Sequence, residues 1–160
     1  MKKGLFIILF FILGKHSFAQ NENNSAINWL TFKQLSDLLE TNPKKVLVFF
    51  HTDWCSYCKK MMNEAFKNET IVNKINQDYY AVQFDAESVD TIVFDNVVLS
   101  NTAVQKQTGQ YHQIATILTQ QDKPIFPTTI LYNQDFTRID SKQKYLSIKD
   151  LIKFLLSLLY

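Results

Sequence analysis

A chain of 160 residues with 46% hydrophobic, 14% aromatic and 20% charged residues has the balance of a globular protein and the length for one buried core. Disorder, collagen-like repeats and low-complexity sequence are excluded by these proportions. The formal charge of +2 comes from Lys2, Lys3 and Lys15 in the first nineteen residues; the remainder is slightly acidic and gives no electrostatic case for a nucleic-acid partner.

Residues 1–19 read MKKGLFIILFFILGKHSFA, with a positive start, an apolar run over 5–13 and a small-x-small pattern at Ser17-Phe18-Ala19. This is the anatomy of a secretory signal peptide, and the apolar run is less than half of the about 20 residues that a spanning helix needs. No cysteine follows the cut, which argues against a lipid anchor. The polar, Asn-rich stretch 20–28 reads as a flexible lead-in, and 29–160 as one exported domain with no membrane span. An exported chain meets an oxidising compartment, the periplasm if the source is bacterial, where a retained thiol pair usually serves redox chemistry.

Within 29–160 the apolar spacing predicts a helix over 29–40, closed by Pro43, and then a strand buried on both faces over 45–51. Helices follow over 56–67 and 69–77, then an alternating strand over 79–85. Segments 91–94 and 97–100 flank Asp95-Asn96 as a two-residue hairpin. An amphipathic helix is expected over 111–120, and a second hairpin pairs 128–132 with 136–140. Ser147 and Asp150 resemble a capping box that opens a Leu- and Phe-rich final helix. The order implies an α/β fold with a mixed central sheet flanked by helices and carrying an inserted β-hairpin.

The two cysteines stand in Trp54-Cys55-Ser56-Tyr57-Cys58-Lys59, directly after the apolar strand and at the start of a helix. Unpaired N–H groups at a helix N-terminus stabilise negative charge, so Cys55 is expected to carry a lowered thiol pKa and act as nucleophile. Cys58, one turn on, is placed to resolve a mixed disulfide. Three other uses of the pair stay open on the residues alone. A structural staple across so short a loop gains only ~2 kcal/mol. A zinc site formed with His51 lacks a fourth ligand. In an inert relic the thiols do nothing. Trp54 offers a flat apolar contact, while Lys59 and His51 can tune the pair electrostatically.

Strand, Trp54-Cys55-x-x-Cys58-Lys59, helix and a late Phe126-Pro127-Thr128 before a strand together resemble the thioredoxin superfamily. The stretch from His51 to Met61 (HTDWCSYCKKM) is similar to periplasmic thioredoxin-related proteins and to the C-terminal domain of transmembrane disulfide reductases. The resemblance implies a thioredoxin-like fold and thiol-disulfide exchange with protein or peptide substrates. It needs neither organic cofactor nor metal, and admits a membrane disulfide reductase as redox partner. It also implies that Pro127 is a cis-proline facing the cysteines, where the backbone of Phe126 pairs with substrate. The alternative within the same fold is a non-catalytic binding or chaperone-like module.

Several positions depart from the family pattern. Phe49 replaces the buried Asp that helps deprotonate the resolving cysteine, leaving water or a nearby acid such as Asp53 or Glu64 as proton acceptor. Ser56-Tyr57 stands between the cysteines, and Lys144-Tyr145 near the place of a usual glycine. The interval from Asp85 to Pro127, which contains the 91–100 hairpin, is longer than in a minimal member; its plainer reading is a surface insertion, and the alternative is part of a substrate-facing rim.

Overall fold

The computed structural model describes residues 26–157. The expected leader over 1–19 lies outside these residues, as does most of the lead-in. The organising element is β2 (Lys45–His51), whose middle five residues are all buried. Its alternating side chains feed two cores. Leu47 and Phe49 pack with the cysteines, Met61, Phe66 and the C-terminal helix, while Val46, Val48 and Phe50 pack with Phe32, Leu35 and Ile130 on the opposite face.

β1 (Trp29–Leu30) lies parallel to β3 (Tyr79–Asp85), which lies parallel to β2; β6 (Thr128–Tyr132) and β7 (Arg138–Lys142) complete the sheet antiparallel, in the order β1-β3-β2-β6-β7. The mixed sheet is therefore as the sequence predicts. Helices α1 (Phe32–Thr41), α2 (Ser56–Asn63), α3 (Glu69–Asp78), α4 (Gln113–Thr119) and α5 (Ile148–Leu156) surround it. No helix among the described residues is long and apolar enough to cross a membrane.

Four boundaries differ from expectation, each for a local reason. Trp29 and Leu30 are strand, not helix, because Thr31 caps α1 in a reciprocal capping box with Gln34. The helix expected over 56–67 ends at Asn63, and a 3₁₀ turn (Ala65–Lys67) leads to the Asn68 cap of α3. α4 begins at Gln113, because the His112 side chain is its cap. Phe136 belongs to the β6–β7 turn at φ 61°, so β7 starts only at Arg138.

The expected inserted hairpin forms as β4 (Ile92–Phe94) and β5 (Val97–Leu99). Asp95 and Asn96 both have positive φ, 51° and 59°, the requirement of the two-residue turn whose twist matches its strands. The hairpin is a separate two-stranded sheet leaning on α1, with Phe94 edge-on to Phe32 at 5.4 Å and the Asp95 N–H donating to Ser36 Oγ at 3.4 Å.

His112 links this insertion to α4. Its Nδ1 accepts the Ile114 N–H at 3.1 Å, so Nε2 carries the proton and donates to the Asp90 carbonyl at 2.9 Å. The ring is fully buried, and burial lowers its pKa against the opposing hydrogen bonds to Asp90 and Leu99 backbone. Burial lowers His51 in the same way, against Asp85 and Asp53. An unfolded chain binds protons at these sites below the ordinary value of 6.5, whereas the folded chain resists them. The stability they contribute is intact above that value and is lost progressively as pH falls through it towards the lowered folded values. Thermal melts between pH 7 and 5 should therefore show a falling Tm, and His112→Asn, which keeps a capping oxygen but cannot titrate, should flatten the fall.

Candidate active site

At the C-terminal end of β2 the chain turns through Thr52 and Asp53, and the Cys55 N–H donates to the Thr52 carbonyl at 3.2 Å. Cys55 caps α2, with its Sγ accepting the Cys58 N–H at 3.1 Å. The two residues are joined as a disulfide with Cα atoms 5.2 Å apart. Cys55 retains 5% exposure and Cys58 only 1%, so the capping cysteine is the more accessible of the two. The sulfur expected to be the nucleophile thus receives a backbone hydrogen bond that a thiolate would strengthen.

Trp54 is 54% exposed, yet its indole N–H turns inward and donates to both carboxylate oxygens of Glu87 at 3.1 Å. Glu87 is 2% exposed and also accepts the Gly109 N–H at 2.7 Å. Trp54 meets Phe126 edge-on at 6.4 Å, and Tyr111 backs Phe126 at 5.6 Å. The Phe126–Pro127 peptide is cis and leads straight into β6, beside β2. On the other side of the motif, Tyr57 packs against Tyr145 at 5.7 Å, and Lys60 Nζ lies 5.4 Å from the Tyr145 ring. The position near which the family pattern has glycine is therefore an aromatic wall. Among the described residues, no three His, Cys, Asp or Glu side chains converge on a metal-ion site.

Phe49 is completely buried in the cysteine core, 4.8 Å from Phe66 and stacked on His51 at 5.9 Å. Of the two acids considered in its place, Glu64 is the exposed C-cap of α2, at the end away from the cysteines. Asp53 is bonded to Lys106, whose hydrogen bond holds its carboxyl below the usual range and makes it a weaker base. Lys59 is exposed on α2.

Glu87, Lys106 and Gly109 had no site signal in the sequence. Glu87 meets Trp54 across 33 residues of chain and Lys106 meets Asp53 across 53, while Gly109 secures Glu87, and no local periodicity records these bonds. The reading of the interval after Asp85 as a plain surface insertion is corrected here, since these residues bond it to the motif and its neighbours. Trp54→Phe removes one of two donors to a buried carboxylate and should cost about 1–3 kcal/mol in urea unfolding. An unchanged midpoint would show that Glu87 does not depend on the indole.

The sequence profile described as "Thioredoxin-like domain" matches residues 32–158. A comparison with curated proteins finds no match to the sequence. Among solved structures, the fold is similar to a thioredoxin from Thermus thermophilus (TM-score 0.59, 12% identity, covering 84% of this chain and 88% of that one). It is also similar to DsbH oxidoreductase (TM-score 0.57, 12% identity, 85% and 88% covered). The oxidised C-terminal domain of DsbD from Neisseria meningitidis is similar at TM-score 0.53 and 15% identity, with 81% and 97% covered. At these identities the likeness is one of fold.

Proposed function

The chain belongs to the thioredoxin-like domain family, and on that premise we propose that it is an exported thiol-disulfide oxidoreductase acting on protein or peptide substrates. The observation that carries this reading is the Cys55 Sγ at the head of α2, hydrogen-bonded to the Cys58 N–H with the second sulfur in bridging reach. In the reducing direction the Cys55 thiolate attacks one sulfur of a substrate disulfide, forming a mixed disulfide and expelling one substrate thiolate. The Cys58 thiolate then attacks Cys55 Sγ, expelling the second substrate thiolate and leaving the Cys55–Cys58 disulfide. Two electrons pass to the substrate, which takes up two protons, and the reverse sequence oxidises a dithiol.

In this reading Trp54, Phe126 and Pro127 form the docking surface, where an extended segment pairs with the Phe126 backbone. Lys59 and His51 modulate the pair. Residues 1–19 direct export to the periplasm of a bacterial source, 20–28 are a lead-in, and 29–160 the working domain. A membrane disulfide reductase is a suitable electron partner, and exchange between cysteines calls for no cofactor. The test is the rate at which the intact chain, recycled by a small thiol, reduces a disulfide-bonded protein. Acceleration over the thiol alone supports the reading, and its absence in folded protein overturns it.

A further inference from the structure

Three carboxylates lie next to the motif: Glu87 is held by the Trp54 and Gly109 N–H groups, and the insertion supplies a cation that meets the other two. Asp53 lies two residues before Cys55 in the turn out of β2, and Asp85 ends β3 in register with His51. The Lys106 ammonium, from the loop between β5 and α4, bonds to Asp53 and to Asp85 together. These are the only ion pairs that either carboxylate makes among the described residues. The same loop is fastened a second time by the Gly109 N–H on Glu87.

A thiolate forming beside unneutralised carboxylates is opposed by their charge. We propose that Lys106 is a positioning residue of the redox site: by bridging Asp53 and Asp85 it offsets one of their two negative charges and keeps the Cys55 thiolate accessible near neutral pH. The proposal rests on the reading of Cys55 as nucleophile. The groups that face this cluster are His51 on β2, Asp53 in the turn, Lys59 on α2, Asp85 on β3 and Lys106 itself. Partial burial works against the Lys106 charge, but the hydrogen bonds it donates to both carboxylates outweigh that and hold the ammonium above the ordinary lysine range. His51 works the other way, since loss of Lys106 removes a repulsion and lets the ring charge more readily. The loss of one full positive charge outweighs the gain of a fraction of one on the imidazole.

The test is the pH dependence of iodoacetamide alkylation of Cys55, in the intact chain carrying Cys58→Ser. Lys106→Met should raise the midpoint by about half a unit, an about threefold loss of alkylation rate below it. Lys106→Arg should restore the original midpoint, and Asp53→Asn added to Lys106→Met should return it at least halfway. A merely structural role for Lys106 would shift Tm in Lys106→Met but leave the midpoint unmoved. Exchange activity of the chain with both cysteines separates the two failures. Active protein whose midpoint does not move with Lys106→Met, or does not return with Asp53→Asn, overturns the Lys106 role alone. Protein that exchanges with no disulfide overturns the redox reading, and this role with it.

Discussion

Cys58→Ser traps substrate proteins on Cys55 as mixed disulfides that a reductant releases, whereas Cys55→Ser traps none and loses exchange by about a thousandfold or more. The asymmetry follows from the capping geometry. Both cysteines lie in the core cluster, but Cys55 holds the position at which α2 directs an N–H toward sulfur and retains the greater exposure, 5% against 1%. With serine at 58 the first attack proceeds unaltered, but no internal thiol completes the exchange. With serine at 55 the remaining thiol is 1% exposed and is not presented to a folded partner. Non-reducing gels of the two variants after incubation with a disulfide-bonded protein separate the cases. Equal trapping by both variants would reassign the nucleophile.

Phe49→Ala destabilises the domain by about 3–5 kcal/mol, a large part of the total stability of a domain this size. Phe49 is in the centre of the cysteine core with no exposed surface, and its ring meets Phe66 edge-on and His51 in a stack. Truncation leaves a cavity in the cysteine core, among residues that also position the motif. Phe49→Asp, which restores the acid of the family pattern, also destabilises the domain, because it loses the same ring and places a carboxylate in an apolar cluster with only His51 and the Thr129 hydroxyl beside it. Urea unfolding measures both variants. A loss below about 1 kcal/mol for Phe49→Ala would mean that this part of the core is loosely packed.

The elements nearest the cysteines were the most legible in the sequence, for physical reasons. KVLVFFH is an apolar run too short for a helix and rich in branched and aromatic residues, and it is β2 at the predicted bounds. Asp95-Asn96 between apolar triplets is a turn whose chemistry is local, and the hairpin follows from it. Trp29 and Leu30 were misread because their apolar spacing continues the period of α1, while the stronger signal, the Thr31 to Gln34 box, sets the boundary. The site was legible to the extent that it is contiguous. Trp54, Cys55 and Cys58 are one motif, but Glu87 and Lys106 act through single side-chain bonds to distant partners. Nothing in the neighbourhood of Lys106 distinguishes it from a solvated lysine. The insertion was readable as a hairpin, and its attachment to the site was not.

Equilibrium with glutathione buffers separates a working Cys55–Cys58 redox couple from a structural staple. Working dithiols of this type have potentials between about −270 and −120 mV, while structural disulfides lie below about −300 mV. The account predicts a single two-electron transition inside the first range, read by alkylation of the released thiols. A pair that stays oxidised in buffers poised down to about −300 mV would contradict it.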